Sequence, residues 1–198
     1  MSQSCKTTTD RHLKLESHQQ ILLNVADGSQ KAFKDLYDLY IQKVYNTAIS
    51  YLQDEKDAEE VTQDVFMTIF RKAKQFEGKS SVSTWVYRIT INTSINFSKK
   101  KKRFTLFRLS EQETEVSHFE HPGVLLENKE DTAYLFKAIE SLPESQKAAF
   151  VLSFIEGLPR QEVADILETS LKATESLLQR AKGNLRKKLE IIHPHRRN

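Results

Sequence analysis

Cysteine is nearly missing from this chain: there is one, Cys5, in 198 residues. A single thiol cannot close an intramolecular disulfide and leaves no cysteine-based zinc site, so a reducing compartment is expected. Glycine and proline are also scarce, at 5 and 4 residues, which excludes collagen-like and low-complexity classes. The glycines, at 28, 78, 123, 157 and 183, stand alone, so there is no glycine-rich phosphate loop. Long apolar runs are absent too. No stretch approaches the roughly 18 residues of a membrane helix, and the first seventeen residues lack the apolar core of a signal peptide. A cytoplasmic protein with no stable membrane insertion is the expectation.

What is present is a globular composition, 38% hydrophobic and 29% charged, in a chain long enough for one or two cores. The net charge of +3 conceals segregation. Residues 54–64 and 111–131 are acidic, while 99–103 and 171–197 are basic. Such separation suits a basic surface for a polyanion and an acidic surface for another partner.

Apolar residues return at three- and four-residue steps with no sustained alternation of period two, which predicts an all-α fold. Phe33, Leu36, Tyr37, Tyr40, Val44, Ala48 and Leu52 mark one face of a long helix. Asp54 and Asp57 favour a fresh helix start, and that second helix turns Ala58, Val61, Val65, Ile69 and Phe70 inward. After a loop at Gly78–Ser83, a third helix begins near Val82. Residues 104–128 are acidic and aperiodic, with Pro122 and Gly123, and read as a linker. Short helices follow, with Pro143 and Pro159 each marking a start. The expected architecture is two small helical domains, 18–103 and 129–191, joined by the acidic linker 104–128, the second containing a helix-turn-helix.

Three polar faces carry the functional question. In the third helix, Arg88, Asn92 and Asn96 form a stripe leading to Lys99, Lys100 and Arg103, beside an apolar stripe of Val82, Trp85, Val86 and Ile89. Asparagine is a mediocre helix former, so two on one face either contact nucleotide edges or face water. Near the C-terminus, Ser170 is a good N-cap for a helix whose apolar stripe is Leu171, Thr174, Leu178, Ala181, Leu185 and Leu189. Its other face offers Lys172, Glu175, Ser176, Gln179, Arg180 and Lys182, the pattern of a recognition helix in a major groove or of a solvated helical hairpin. Asp57, Glu60, Gln63 and Asp64 form an acidic face that cannot bind phosphate; it is either solvated or docks a basic protein surface.

Catalysis finds no constellation. Glu59 and Glu60 are adjacent and diverge on a helix, and the pairs His118/His121 and His193/His195 lack a third ligand. No enzymatic activity, cofactor or metal is expected.

Taken in order, DAEEVTQDVFMTIF (57–70), FEGKSSVSTWVYRITINTSIN (76–96) and SLPESQKAAFVLSFIEGLPRQEVADIL (141–167) resemble the extracytoplasmic-function group of alternative bacterial sigma factors. The resemblance spans about residues 20–190. It implies a dissociable subunit of RNA polymerase, in which Asp57, Glu60, Gln63 and Asp64 dock on the β′ clamp helices of the core enzyme. It further implies that Lys79, Ser80 and Ser81 of the Gly78–Ser83 loop, with Arg88, Asn92, Asn96, Lys99, Lys100 and Arg103, bind the opened −10 element. The helix from Leu171, capped by Ser170, would read −35 DNA through the polar face above, and the second domain would touch the β flap. A membrane-anchored anti-sigma factor is a further partner the family implies. Lys172, Glu175, Leu177, Thr169 and Pro159 depart from the family's usual residues, so no −35 sequence follows. Two other readings use the same residues: a free-standing helix-turn-helix regulator, and an RNA-binding adaptor.

Overall fold

Short polar side chains set the helix starts. The computed structural model describes residues 18–108 and 129–192. After α1 (residues 18–26), the Ser29 hydroxyl accepts from the Ala32 amide at 3.2 Å and opens α2 (Gln30–Leu52). Asp54 accepts from the Asp57 amide at 3.0 Å and opens α3 (Glu55–Lys72), where Glu55 and Asp57 also meet the positive end of the helix dipole. Ser81 accepts from the Thr84 amide at 3.0 Å and opens α4 (Val82–Arg108). The second half holds α5 (Lys129–Glu140), α6 (Glu144–Phe150), a π-helical turn (Val151–Ile155), α7 (Arg160–Ile166) and α8 (Leu171–Ile192). Pro143 and Pro159 stand at the starts of α6 and α7, where the sequence predicts them. No β-strand occurs among the described residues, and the fold is all-α.

The first four helices bury one core. Leu36, Tyr40, Val44 and Ala48 of α2 meet Ala58, Val61, Val65 and Ile69 of α3 and Val82 and Val86 of α4, with Leu22 and Val25 of α1 closing one side. Each large aliphatic side chain buried here stabilises by roughly 1.5–3 kcal/mol. Three expectations shift. Phe70 is 47% exposed, because it turns one step past the Val61–Val65–Ile69 row and meets the Phe33 ring edge-on. Leu171 is also exposed, since the buried stripe of α8 starts a turn later at Thr174. And α4 continues to Arg108, past the expected boundary at 103, because KKKKRFTLFR contains no helix breaker and its cations suit a helix C-terminus. Of the expected linker, residues 109–128 lie outside the described residues, as do the histidine pairs 118/121 and 193/195.

In the second half, Phe136, Ala138, Ile139 and Leu142 pack on Ala181 and Leu185 of α8. A further cluster belongs to both halves. Tyr51, Tyr87 and Ile91 from the first pack among Ala148, Val151, Leu152, Val163 and Ile166 from the second. The π-helical turn ends there, with the Glu156 amide donating to the Val151 carbonyl at 2.9 Å.

Gln53 caps α2 with a left-handed backbone (φ 60°), and its Nε2 is buried without a partner. Left-handed backbone strains a residue that carries Cβ, and glycine is free of that strain. Gln53→Gly is expected to raise stability by about 1 kcal/mol in urea denaturation.

Lys147 is buried, its ammonium 4.7 Å from the centre of the Tyr51 ring. Burial pushes its pKa down to about 8, with Glu140 opposing. The unfolded chain titrates this group near about 10.4, so between the two values the unfolded state holds more protons and stability rises with pH. Below that window the cost of burying the charge is fully present. Above about pH 10 the slope reverses, because burial holds the Tyr40, Tyr51 and Tyr87 hydroxyls protonated in the folded chain, Tyr40 up to about 12, and the unfolded chain ionises them first. Lys147→Met is expected to add about 1–3 kcal/mol at pH 7 and to flatten the rise between pH 8 and 10, as read from urea melts across pH.

Candidate nucleic-acid interface

The polar composition of α4 divides by face. Thr90 and Ser94 point inward, fully buried, and each hydroxyl donates to the carbonyl four residues back, Val86 at 2.9 Å and Thr90 at 2.8 Å. Small self-satisfied hydroxyls let the helix pack closely without an orphaned polar group. Asn92 and Asn96 take the opposite course and are exposed, with Lys100 and Arg103 exposed beyond them. Trp85 is half-buried and meets Phe76 edge-on at 5.4 Å, so it belongs to the apolar side, as its stripe predicts.

The loop before α4 is built by its own residues. Gly78 takes φ 70°, and a Cβ there would stand 3.3 Å from the Gln19 side chain. Lys79 is exposed and pairs with Glu77. Ser80 is half-buried, and Ser81 spends its hydroxyl on the helix cap and on the Thr84 hydroxyl at 2.8 Å.

Among the described side chains of α4, three cations have protein partners. Arg88 donates through Nη2 to the Asp165 carbonyl at 2.6 Å and pairs through Nη1 with Glu168 at 3.0 Å. Lys99 pairs with Glu144 at 3.0 Å. Lys101 reaches back to Asp57 at 2.6 Å and Asp54 at 3.7 Å; burial opposes its charge, and the two carboxylates more than offset that, holding its pKa above the ordinary value. Between the loop (Lys79, Ser80, Ser81) and α7 with its following turn (Glu162, Asp165, Glu168) lies a cleft of about 710 Å³.

In the helix-turn-helix, the turn runs through Glu168 in a left-handed conformation (φ 52°), and the Thr169 amide donates to the Ala164 carbonyl at 3.0 Å. Ser170 accepts from the Ala173 amide at 3.2 Å and caps α8. Lys172, Gln179 and Arg180 are exposed and Ser176 is half-buried. Glu175 pairs with Arg160 at 3.3 Å, and the Lys182 ammonium lies 4.4 Å from the centre of the Phe154 ring. Glu175 thus neutralises an α7 cation and leaves the face predominantly positive.

On α3, Glu60, Gln63 and Asp64 are exposed. Asp57 departs from the expected exposure: its side chain is 14% exposed and held by Lys101. Two exposed apolar residues share the acidic face, Met67 at 50% and Phe70 at 47%. The sequence reading missed Met67 and turned Phe70 inward. Steps of three and four from Glu60 through Asp64 and Met67 to Phe70 are the signal that places them together.

Among the described residues no helix is long and apolar enough to cross a membrane, and no group of His, Cys, Asp or Glu side chains could hold a metal ion.

Comparison with known proteins extends these observations to the whole chain. Residues 36–104 match the family described as Sigma-70 region 2, and residues 132–185 match Sigma-70, region 4. The chain is 30% identical to the ECF RNA polymerase sigma-E factor of Escherichia coli over 88% of its length and 95% of that protein's. It is 27% identical to the RNA polymerase sigma-H factor of Pseudomonas aeruginosa, covering 89% of this chain and 96% of the other. Similarity to SigW of Bacillus subtilis stands at 29% over 85% and 94% of the two chains. The fold resembles RpoE of Bartonella quintana, solved with the anti-sigma factor NepR, with a TM-score of 0.64 at 23% identity over 81% of this chain and 98% of that one. It also resembles CnrH, solved with the cytosolic domain of CnrY, with a TM-score of 0.62 at 22% identity over 87% and 97%. The two matched regions, their order and the near-complete coverage place the chain among the extracytoplasmic-function RNA polymerase sigma factors, the subunits that direct promoter recognition in transcription initiation.

Proposed function

We propose that this sigma factor distributes its work over three faces, within two domains, the first carried to Arg108 by α4 and the second at 129–191. The α3 face of Glu60, Gln63 and Asp64, with Met67 and Phe70 beside them, docks on the clamp helices of core RNA polymerase. Charged rims set the rate of encounter, and the exposed apolar pair, covered on docking, supplies affinity. Asp57 supports this face from its edge by anchoring Lys101. The loop with Lys79, Ser80 and Ser81 and the α4 stripe bind the non-template strand of the −10 element. Asn92 and Asn96 contact base edges, while Arg88, Lys99, Lys100 and Arg103 neutralise phosphate. The α8 face of Ser170, Lys172, Glu175, Ser176, Gln179, Arg180 and Lys182 enters the −35 major groove, and the second domain meets the β flap.

The observation that supports this most is the fate of polar residues on α4. Its interior hydroxyls are satisfied, while two poor helix formers stand exposed in line with a basic run. Exposed asparagine costs helix stability, and nucleotide recognition repays that cost. The subunit works in the cytoplasm, without catalysis of its own. RpoE of Bartonella quintana was solved with the anti-sigma factor NepR, and a protein of the anti-sigma class is proposed as a partner here as well.

Run-off transcription with purified core polymerase on genomic fragments tests the reading. Discrete transcripts that appear only on adding this protein are the expected result. Sequence-specific, stable duplex binding by the isolated chain, with no transcripts, would overturn it in favour of a free-standing regulator.

A further inference from the structure

Glu175 stands in the middle of the face that α8 offers to DNA. Lys172, Glu175, Ser176 and Gln179 follow one another at helical spacing, so they share one side of the first turns, and Glu175 is the anion among them. Its side chain is 48% exposed, and its Oε1 lies 3.3 Å from Nη1 of Arg160, the first residue of α7, whose own side chain is 59% exposed. The pair therefore bridges the two helices of the helix-turn-helix on its solvent side. A carboxylate brought against a phosphate backbone ordinarily weakens binding. Here a cation of the neighbouring helix offsets its charge, and its place in the second turn of the helix puts it near base edges.

Resting on the −35 reading proposed above, we infer that Glu175 is a specificity-determining residue, which selects cytosine at one position of the −35 element by accepting from the N4 amino group, and that Arg160 is the residue that positions it. The physical reason is the one-sided chemistry of a carboxylate. An ionised glutamate only accepts, and pairing at Oε1 leaves it further lone pairs for a second donor. In the major groove the donors are the cytosine N4 and adenine N6 amino groups; guanine and thymine present acceptors. Adenine places its N7 lone pair beside N6, which repels a carboxylate, whereas the edge beside cytosine N4 is a C–H. Arg160 holds the carboxylate through one of its five N–H donors and keeps the pair neutral toward the backbone.

The test uses the full chain with core polymerase and one promoter found by the run-off assay, its −35 segment randomised and each transcript traced to its template by a barcode. Wild type is expected to favour a C·G pair, with cytosine on one defined strand, at one position by about 5- to 150-fold. Glu175→Gln is expected to move the preference at that position to adenine, whose N6 and N7 suit an amide, and Glu175→Ala to erase it, with the other positions unchanged. On templates lacking the preferred cytosine, Arg160→Ala is expected to lower transcription by about three-fold, and adding Glu175→Ala to restore it. Unaltered base preferences in both Glu175 variants overturn the inference, as does an equal gain on every template, the mark of a carboxylate that merely repels phosphate. A loss in Arg160→Ala that Glu175→Ala leaves in place overturns the role of Arg160. Failure of the proposed function has its own signature and takes the inference with it: wild type then gives no transcripts, or transcripts indifferent to the whole randomised segment.

Discussion

Reversing Glu60 and Asp64 together to lysine is expected to weaken association with core polymerase by roughly 30- to 1000-fold, as measured by co-migration or surface binding, while the thermal melt stays within about 0.5 kcal/mol of wild type. Both carboxylates are exposed, and no packing depends on them. Their reversal places like charge against a basic partner surface, which slows encounter and penalises the docked state. Asp57 behaves differently. Its carboxylate lies in the first turn of α3, only 14% exposed and 2.6 Å from the Lys101 ammonium. Asp57→Lys removes a favourable charge from the helix N-terminus and sets two cations face to face, so about 1–2 kcal/mol of stability is lost along with any docking contribution. A purified Glu60→Lys, Asp64→Lys protein that still binds core polymerase normally would move the docking face off α3.

Replacing Asn92 and Asn96 with alanine is expected to have opposite effects on stability and on function. Alanine is the better helix former, so two exposed substitutions raise stability by about 0.5–1 kcal/mol in a urea melt. Each lost base contact costs about 1–3 kcal/mol of strand affinity, so opening of the −10 region, read by permanganate reactivity of unpaired thymines, falls by about ten-fold or more. Polymerase binding stays unchanged, since α3 is untouched. A solvated, idle stripe predicts the same gain in stability with no loss of promoter opening.

Much of this was legible in the chain because it depends on near neighbours. The Asp54 and Ser170 caps act over three residues. The buried rows of α2 and α3 and the exposed pair Asn92 and Asn96 follow from helical spacing. The extended end of α4 was missed because a change in composition at 104 was read as a change in structure, although nothing in KKKKRFTLFR breaks a helix. Phe70 was misplaced because it lies at the margin of the apolar row, where spacing no longer discriminates and only the packing of Phe33 decides.

By itself the sequence determined the all-α class, the helix starts at Asp54 and Ser170, the segregation of acidic and basic faces, and the ordered motifs that mark a sigma factor, since each is written within a few residues of chain. Tertiary structure alone decided how the charges on those faces are spent. Arg88 meets Asp165 across 77 positions and Lys101 meets Asp57 across 44. Lys147, polar in any pattern, is buried against a tyrosine of the other half. Periodicity says which way a side chain points from its own helix. What stands opposite it depends on how the helices pack, and here the packing turns Arg88 and Lys99 of the proposed DNA-reading face toward the protein's own second half.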